Sequence, residues 1–214
     1  HPGELINELK SYVGKERMEK MLQANNDIPP MVVQVNTLRT DTQTLTAQLE
    51  GEGVTVQPHG WMPDCLVLSG FGNLEQLNAF REGMFYVQDP ASKLSVLCAG
   101  LEKGWSVLDC CAAPGGKSFT AAQYMENRGK IFACDLYDHK LKLINSGAKR
   151  LGISIIHTSI RDGACGASLP LADKILVAAA LVCMVELKWT YAWVTIIILV
   201  REFVVSGVRL VAAG

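Results

Sequence analysis

Five small residues, Ala112, Ala113, Pro114, Gly115 and Gly116, separate the apolar stretch 105–108 from a helical pattern that begins at Lys117. This spacing predicts a strand that empties into a tight loop and then opens a helix. A loop nearly free of side chains lets backbone approach a bound molecule closely, and the unpaired N–H groups of the helix's first turn face it. Segment 109–118 is therefore expected to cradle a ligand, and the rest of the chain must supply the sheet that presents it.

From residue 87 onward strand and helix patterns take turns. Strands are expected at 106–110, 131–135, 153–158 and 174–177, with helices at 117–125 and 138–151 between the first three. This alternation predicts an α/β fold with a doubly wound parallel sheet. Such sheets bind ligands beyond the carboxyl ends of their strands, where residues 111–117, Asp135 and Asp162 fall.

Ahead of the sheet, Leu5, Ile6, Leu9, Val13, Met18, Met21 and Leu22 recur at helical spacing until Asn25-Asn26 and Pro29-Pro30 stop the pattern. Residues 1–27 thus form a helical lead-in. Val33, Val35 and Thr37 alternate like a strand, Thr40-Asp41-Thr42 can cap a helix through Leu45 and Leu49 to Gly51, and 54–57, 66–68 and 74–80 read as strand, strand and helix. Residues 28–82 are a small α+β module, 83–177 the sheet domain, and 178–214 an atypical apolar tail.

Composition narrows the chemistry. Across 214 residues the net charge is -1, with an isoelectric point near 6.5, so any nucleic-acid partner must be met by a local patch. The seven cysteines are odd in number, form no Cys-x-x-Cys pair and lie mostly in apolar runs, which predicts reduced thiols and a cytoplasmic setting. Four scattered histidines lack ligand spacing, so no metal is expected. The opening His1-Pro2-Gly3 has neither an initiating Met nor a leader; it gives no sign of secretion and reads as a segment of something longer.

Two familiar cofactor loops are excluded. A phosphate loop needs glycine five residues before its Gly-Lys pair, where Cys111 stands, and the Gly-x-Gly-x-x-Gly dinucleotide pattern is absent. Asp135, ending the second strand, suits the two hydroxyls of a ribose. These residues together predict a cofactor with an adenosine but no phosphate.

The run Asp109-Cys110-Cys111-Ala112-Ala113-Pro114-Gly115-Gly116-Lys117 resembles the cofactor loop of the RNA (cytosine-5) methyltransferases, and its surroundings resemble their bacterial 16S ribosomal RNA branch, the Sun/RsmB type. Val35-Asn36-Thr37-Leu38-Arg39 and Gly83-Met84-Phe85-Tyr86-Val87-Gln88-Asp89 are similar to that family's approach to its catalytic domain, and the likeness runs to about residue 177. The resemblance implies a Rossmann-like S-adenosylmethionine-dependent fold, with the cofactor held by Cys111, Ala112, Ala113, Pro114, Gly115, Gly116 and Lys117. It further implies Asp135 on the ribose, Asp162 near the adenine, and the 28–82 module beside an RNA-binding cleft. In that family a cysteine thiolate attacks C6 of an extruded cytosine so that C5 can accept the methyl group. Its substrate here would be 16S ribosomal RNA and its product 5-methylcytosine. Relatives carry a further helical RNA-binding domain upstream.

The family pattern then breaks. Its fourth strand runs into Asp-Ala-Pro-Cys and a later one into Thr-Cys-Thr, whereas here Ile175-Leu176-Val177 is followed by Ala178-Ala179-Ala180 and neither motif occurs. Cys183 comes several residues late in an apolar run, Cys110 ends a buried strand, Cys111 matches the family's loop cysteine, which is not its nucleophile, and Cys65, Cys98, Cys134 and Cys165 have no adjacent His or motif that lowers a thiol's pKa. No catalytic residue is assigned.

Three accounts of the tail stay open. Residues 175–200 are long enough to span a membrane, although Glu186 and Lys188 near the middle would each cost about 3 kcal/mol, and no membrane association is expected. Residues 195–200 and 208–211 could be substitute edge strands. Alternatively the reading frame slips near Val177: codons for Lys188-Trp189-Thr190-Tyr191-Ala192 can spell Lys-Val-Asp-Ile-Arg in a shifted frame, close to the family's Lys-Pro-Asp-Ile-Arg. Two functional classes emerge, a ribosomal RNA cytosine-5 methyltransferase and a non-catalytic module that binds S-adenosylmethionine or RNA. On the frame-slip account, the gene downstream of the Val177 codon encodes Asp-Ala-Pro-Cys and Thr-Cys-Thr in another frame; their absence from every frame removes that account.

Overall fold

The structure, a computed structural model, describes residues 3–24, 26, 29–161 and 172–175. The chain divides into two units, His1–Met31 and Val32–Gly214. The first holds the expected lead-in as two helices, α1 (Gly3–Val13) and α2 (Lys15–Ala24), separated at Gly14, whose φ of +78° suits a residue without Cβ. The ion pairs Lys15–Glu19 and Lys20–Glu16 on α2 are solvent-exposed and contribute little.

The described residues from Met31 onward form two four-stranded sheets. The first has the order β2-β3-β1-β4, with β1 at Met31–Val35, β2 at Thr55–Pro58, β3 at Cys65–Ser69 and β4 at Phe85–Val87. Strands β2 and β3 pair antiparallel, as do β1 and β4. Helix α3 (Thr42–Gly51) starts where the sequence predicts, because the Asp41 carboxylate accepts from Thr44 N–H and Thr44 Oγ1. Leu45 and Leu49 of α3 are buried with Val33, Val35, Leu66 and Phe85 in the core of this module.

The helix expected at 74–80 is split into a 3-10 turn at Leu74–Gln76 and α4 at Asn78–Arg81. Asn73 caps the turn, and the Glu52 carboxylate accepts from the N–H groups of Asn78 (2.7 Å) and Ala79 (3.0 Å), so a fresh helix N-terminus opens there. Glu52 lies 26 residues upstream of Asn78, too far for a local pattern to reveal.

The second sheet has the order β7-β6-β5-β8 and every pair is parallel. Its strands are β5 (Ser106–Asp109), β6 (Lys130–Asp135), β7 (Ile156–Ile160) and β8 (Lys174–Ile175). Helices α5 (Pro90–Cys98), α6 (Gly116–Tyr124) and α7 (Asp138–Leu151) complete the described part. Strand β7 begins later than the apolar pattern suggests, since residues 153–155 close off α7: Ile153 N–H bonds to the Ala148 carbonyl, and Ser154 N–H to Asn127 Oδ1. The chain steps from β5 to β6 to β7 on one side and returns to the other side of β5 as β8, which makes the carboxyl end of β5 a topological switch point. Among the described residues no helix is long and apolar enough to cross a membrane. The tail 178–214, with all three accounts of it, lies outside the described residues.

Buried polar bonds join the module to the sheet domain. Asn36, fully buried, donates from Nδ2 to the carbonyls of Gly83 (2.7 Å) and Leu151 (2.9 Å), while its Oδ1 accepts from Leu38 N–H. Arg39 reaches Leu151 and Glu82 carbonyls, and Arg150 reaches those of Phe80 and Phe85 with its guanidinium 3.8 Å from the Phe80 ring. Replacing Asn36 by Ala strips two buried carbonyls of a donor, and is expected to destabilise the chain by about 2–4 kcal/mol. Urea unfolding measures this as a lower midpoint, and an unchanged midpoint would show that the joint carries no stability.

Candidate cofactor site

The loop expected to cradle a ligand lies at the switch point. Ala112 N–H donates to the Cys134 carbonyl (2.9 Å), which stitches the loop to β6, and Gly115 N–H donates to the Ala112 carbonyl (2.7 Å), which closes the turn. Gly115 is the N-cap of α6 with φ +114°, a conformation that side-chain-bearing residues rarely adopt. A Cβ there would run into the Phe119 ring, and one at Gly147 of α7 would meet the same ring from another side. Phe119 is also edge-on to Tyr86, with centroids 5.8 Å apart. The glycine at 115 is therefore required twice, by its backbone and by the ring beside it.

Asp109 ends β5 entirely buried. Ser118 Oγ donates to its Oδ2 at 2.8 Å, whereas Oδ1 makes no hydrogen bond of good geometry. Burial pushes the carboxyl above its ordinary range; the Ser118 hydroxyl, Lys117 and the Cys111 N–H pull it back, and the charge of Asp135 adds a smaller upward push. Asp109 and Ser118 thus tie the first turn of α6 to the end of β5.

Asp135 ends β6 and is nine-tenths buried. Its Oδ2 faces Ala113 N–H at 3.4 Å, and its Oδ1 faces Tyr137 N–H at 3.4 Å and Lys140 Nζ at 3.6 Å. Contacts this long leave the lone pairs of a buried carboxylate under-used, so the group has capacity for further donors. Of the residues expected to form the site, residues 111–117 and Asp135 are brought together, while Asp162 lies outside the described residues.

Several neighbours were not legible as site residues. Gln88, buried, accepts from Thr120 Oγ1 at 2.7 Å through Oε1 and packs against Gly116, where a Cβ would stand 3.3 Å from its Nε2. The Tyr86 hydroxyl meets the same Thr120 at 2.8 Å. Gln88 and Tyr86 belong to the 83–89 stretch that carries the family likeness, which was the available signal. Lys140 stands five residues after Asp135, with no pattern to single it out.

Burial pushes Cys110 up to about 11 and also raises Cys65, so both stay protonated at neutral pH. Among the described residues there is no cluster of three His, Cys, Asp or Glu side chains fit to hold a metal.

Comparison with known proteins bears on this geometry. Residues 1–75 match the family model "Methyltr_RsmF/B-like, ferredoxin-like domain", and residues 97–184 match "16S rRNA methyltransferase RsmB/F". The chain is similar to the RsmB/F methyltransferases. It is 35% identical over 162 residues to the probable ribosomal RNA small subunit methyltransferase B of Bacillus subtilis, covering 76% of this chain and 36% of that protein. The crystal structure of PH0851 superposes with a TM-score of 0.75 at 31% identity, covering 81% of this chain and 40% of that one. A methyltransferase homolog from Pyrococcus horikoshii gives 0.65 at 27% identity, over 70% and 49%. The chain spans about a third of the length of the curated relatives it matches. The RsmB/F likeness supports a Rossmann-like methyltransferase sheet behind an α+β module.

The end of the chain matches differently. Residues 165–214 match a model described as CDP-alcohol phosphatidyltransferase, overlapping the RsmB/F match over 165–184. The change of likeness falls where the sequence loses the expected motif after Val177.

The buried acid offers a test of the site's electrostatics. Since burial raises the folded-state pKa of Asp109 above its unfolded value of about 3.9, the folded chain holds that proton more tightly than the unfolded one. Wild-type stability relative to Asp109→Asn is expected to rise as pH falls from 7 through the folded pKa toward about 4, and to be lost on the way back up. Urea unfolding of both proteins at pH 7 and about 4.5 reads the change; a gap independent of pH would mean an unperturbed carboxyl.

Proposed function

We propose that this chain carries the S-adenosylmethionine-binding half of a ribosomal RNA cytosine-5 methyltransferase, with 16S ribosomal RNA as its substrate class. The observation that carries the reading is Asp135: a nine-tenths-buried carboxylate at the end of β6, met by two N–H groups at 3.4 Å and one ammonium at 3.6 Å, facing a loop that only glycine can close. That arrangement fits a nucleoside, since a vicinal diol offers two donors to one carboxylate.

The proposed cofactor residues are Cys111, Ala112, Ala113, Pro114, Gly115, Gly116 and Lys117 with Asp135, joined by Asp162 on the family likeness. When bound, S-adenosylmethionine supplies an electrophilic methyl group. The first turn of α6 presents its N–H groups and positive dipole end to the methionine carboxylate, and Lys117 adds a charge there. Asp109 holds Ser118 and so keeps that turn in place. Lead-in 1–27, module 28–82 and sheet domain 83–177 are the proposed divisions, with the module contributing to the RNA side. The cytoplasm is the proposed setting.

A second reading has its own support. Neither Asp-Ala-Pro-Cys nor Thr-Cys-Thr occurs after Ile175, and burial pushes the thiols of Cys65 and Cys110 away from the thiolate form. On that reading the chain binds the cofactor or RNA without transferring a methyl group.

Two measurements test these readings. S-adenosylhomocysteine at about one hundred times its Kd is expected to stabilise the chain by about 2.7 kcal/mol, raising Tm by about 5–10 °C, and Asp135→Ala abolishes the shift. A folded chain without any shift refutes the cofactor. Labelled S-adenosylmethionine with unmodified 16S RNA then separates the two readings: 5-methylcytosine in the RNA defeats the non-catalytic one, and its absence despite cofactor binding defeats the enzyme.

A further inference from the structure

Building on the cofactor reading, we propose that Lys140 is a positioning residue for Asp135, setting the orientation in which that carboxylate selects a ribose diol. Asp135 has no short hydrogen bond that would fix its plane. Its Oδ2 leans toward Ala113 N–H on the glycine-rich loop, and its Oδ1 toward Tyr137 N–H at the start of α7, each at 3.4 Å. The carboxylate thus bridges the two walls between which a nucleoside would sit, and long N–H contacts alone hold it weakly.

Lys140 supplies the missing constraint. Its Nζ stands 3.6 Å from Oδ1 and 5.0 Å from the centroid of the Tyr137 ring, so the ammonium is caught between a carboxylate and an aromatic face. The ring is itself backed by His139, with centroids 5.6 Å apart. The charges on this turn are sorted: Asp138, the other acid at the start of α7, takes Lys142 at 3.2 Å, which leaves Lys140 to Asp135. At 3.6 Å the lysine attracts the carboxylate without occupying an oxygen lone pair as tightly as a short bond would. Asp135 can then keep its orientation and its acceptor capacity together.

The inference predicts selectivity as well as affinity, which a packing role does not. Isothermal titration with S-adenosylhomocysteine and with its 2′-deoxyribose analogue is done on wild type, Lys140→Met and Lys140→Arg. Wild type is expected to favour the ribose compound. Lys140→Met keeps the aliphatic stem, loses about fivefold in affinity for S-adenosylhomocysteine, the size of a partly exposed ion pair, and loses less for the analogue, so the ratio between the two ligands shrinks. Lys140→Arg restores the ratio. If Lys140→Met weakens both ligands equally, or leaves both unchanged, the positioning role is overturned while the cofactor reading stands. A wild-type chain that binds neither ligand overturns both.

Discussion

The loop after β5 is held in place by packing around one aromatic ring. Phe119 lies in the first turns of α6, and the space it fills exists because two residues from separate elements, Gly115 and Gly147, have no Cβ. Dispersion and burial around the ring hold α6 against α7, and the edge-on Tyr86 adds the end of the first sheet. The loop 111–116 is thereby closed from beneath by packing and from the side by the Ala112 bond to β6. A backbone held this way can present N–H groups without side chains of its own to position them.

The same economy appears at the joint between module and sheet. Asn36, Arg39 and Arg150 spend their polar groups almost wholly on backbone carbonyls, from Phe80, Glu82, Gly83, Phe85 and Leu151. Gly83 has a φ of +73°, and the Arg150 carbonyl sits where its Cβ would be. Such bonds leave little freedom for the end of α7 to slide relative to β4, because moving either would bury unpaired carbonyls. Strand β4 leads through Gln88 to the N-terminus of α5, so the module also fixes the residues that support Gly116.

Several features that depend on neighbours a few residues apart were readable from the sequence: the strand, small-residue loop and helix at 106–124, a helix cap within 40–42 and the amphipathic α7. Helix α5 was missed although Asp89 caps it and Pro90 opens it locally. Long-range partners were not readable. Glu52 opening α4, Asn127 taking Ser154 N–H, and Asn36 reaching Leu151 across 115 residues leave no periodic trace. At the candidate site, the place of Asp135 at the end of β6 was legible because the strand pattern ends there. Lys140, Gln88 and Thr120 act through distances that only folding creates.

Residues 111–117 and Asp135 ride on β5 and β6, the inner strands of the order β7-β6-β5-β8. The switch point needs only a strand on the far side of β5, and β8 supplies it with two residues, clamped where Asp173 Oδ2 accepts from Ser106 N–H and Asp173 N–H donates to the Ser106 carbonyl, both at 2.7 Å. Beyond that clamp the family likeness gives way, with the RsmB/F match ending at 184 and another model taking over from 165. On the proposed reading a nucleoside is gripped by groups on β5, β6 and the turns after them, and among the described residues these groups sit on a parallel ladder that runs unbroken from β7 to β8. Two residues of β8 are enough to place β5 inside that ladder, so the loop after β5 is presented by paired strands on both sides.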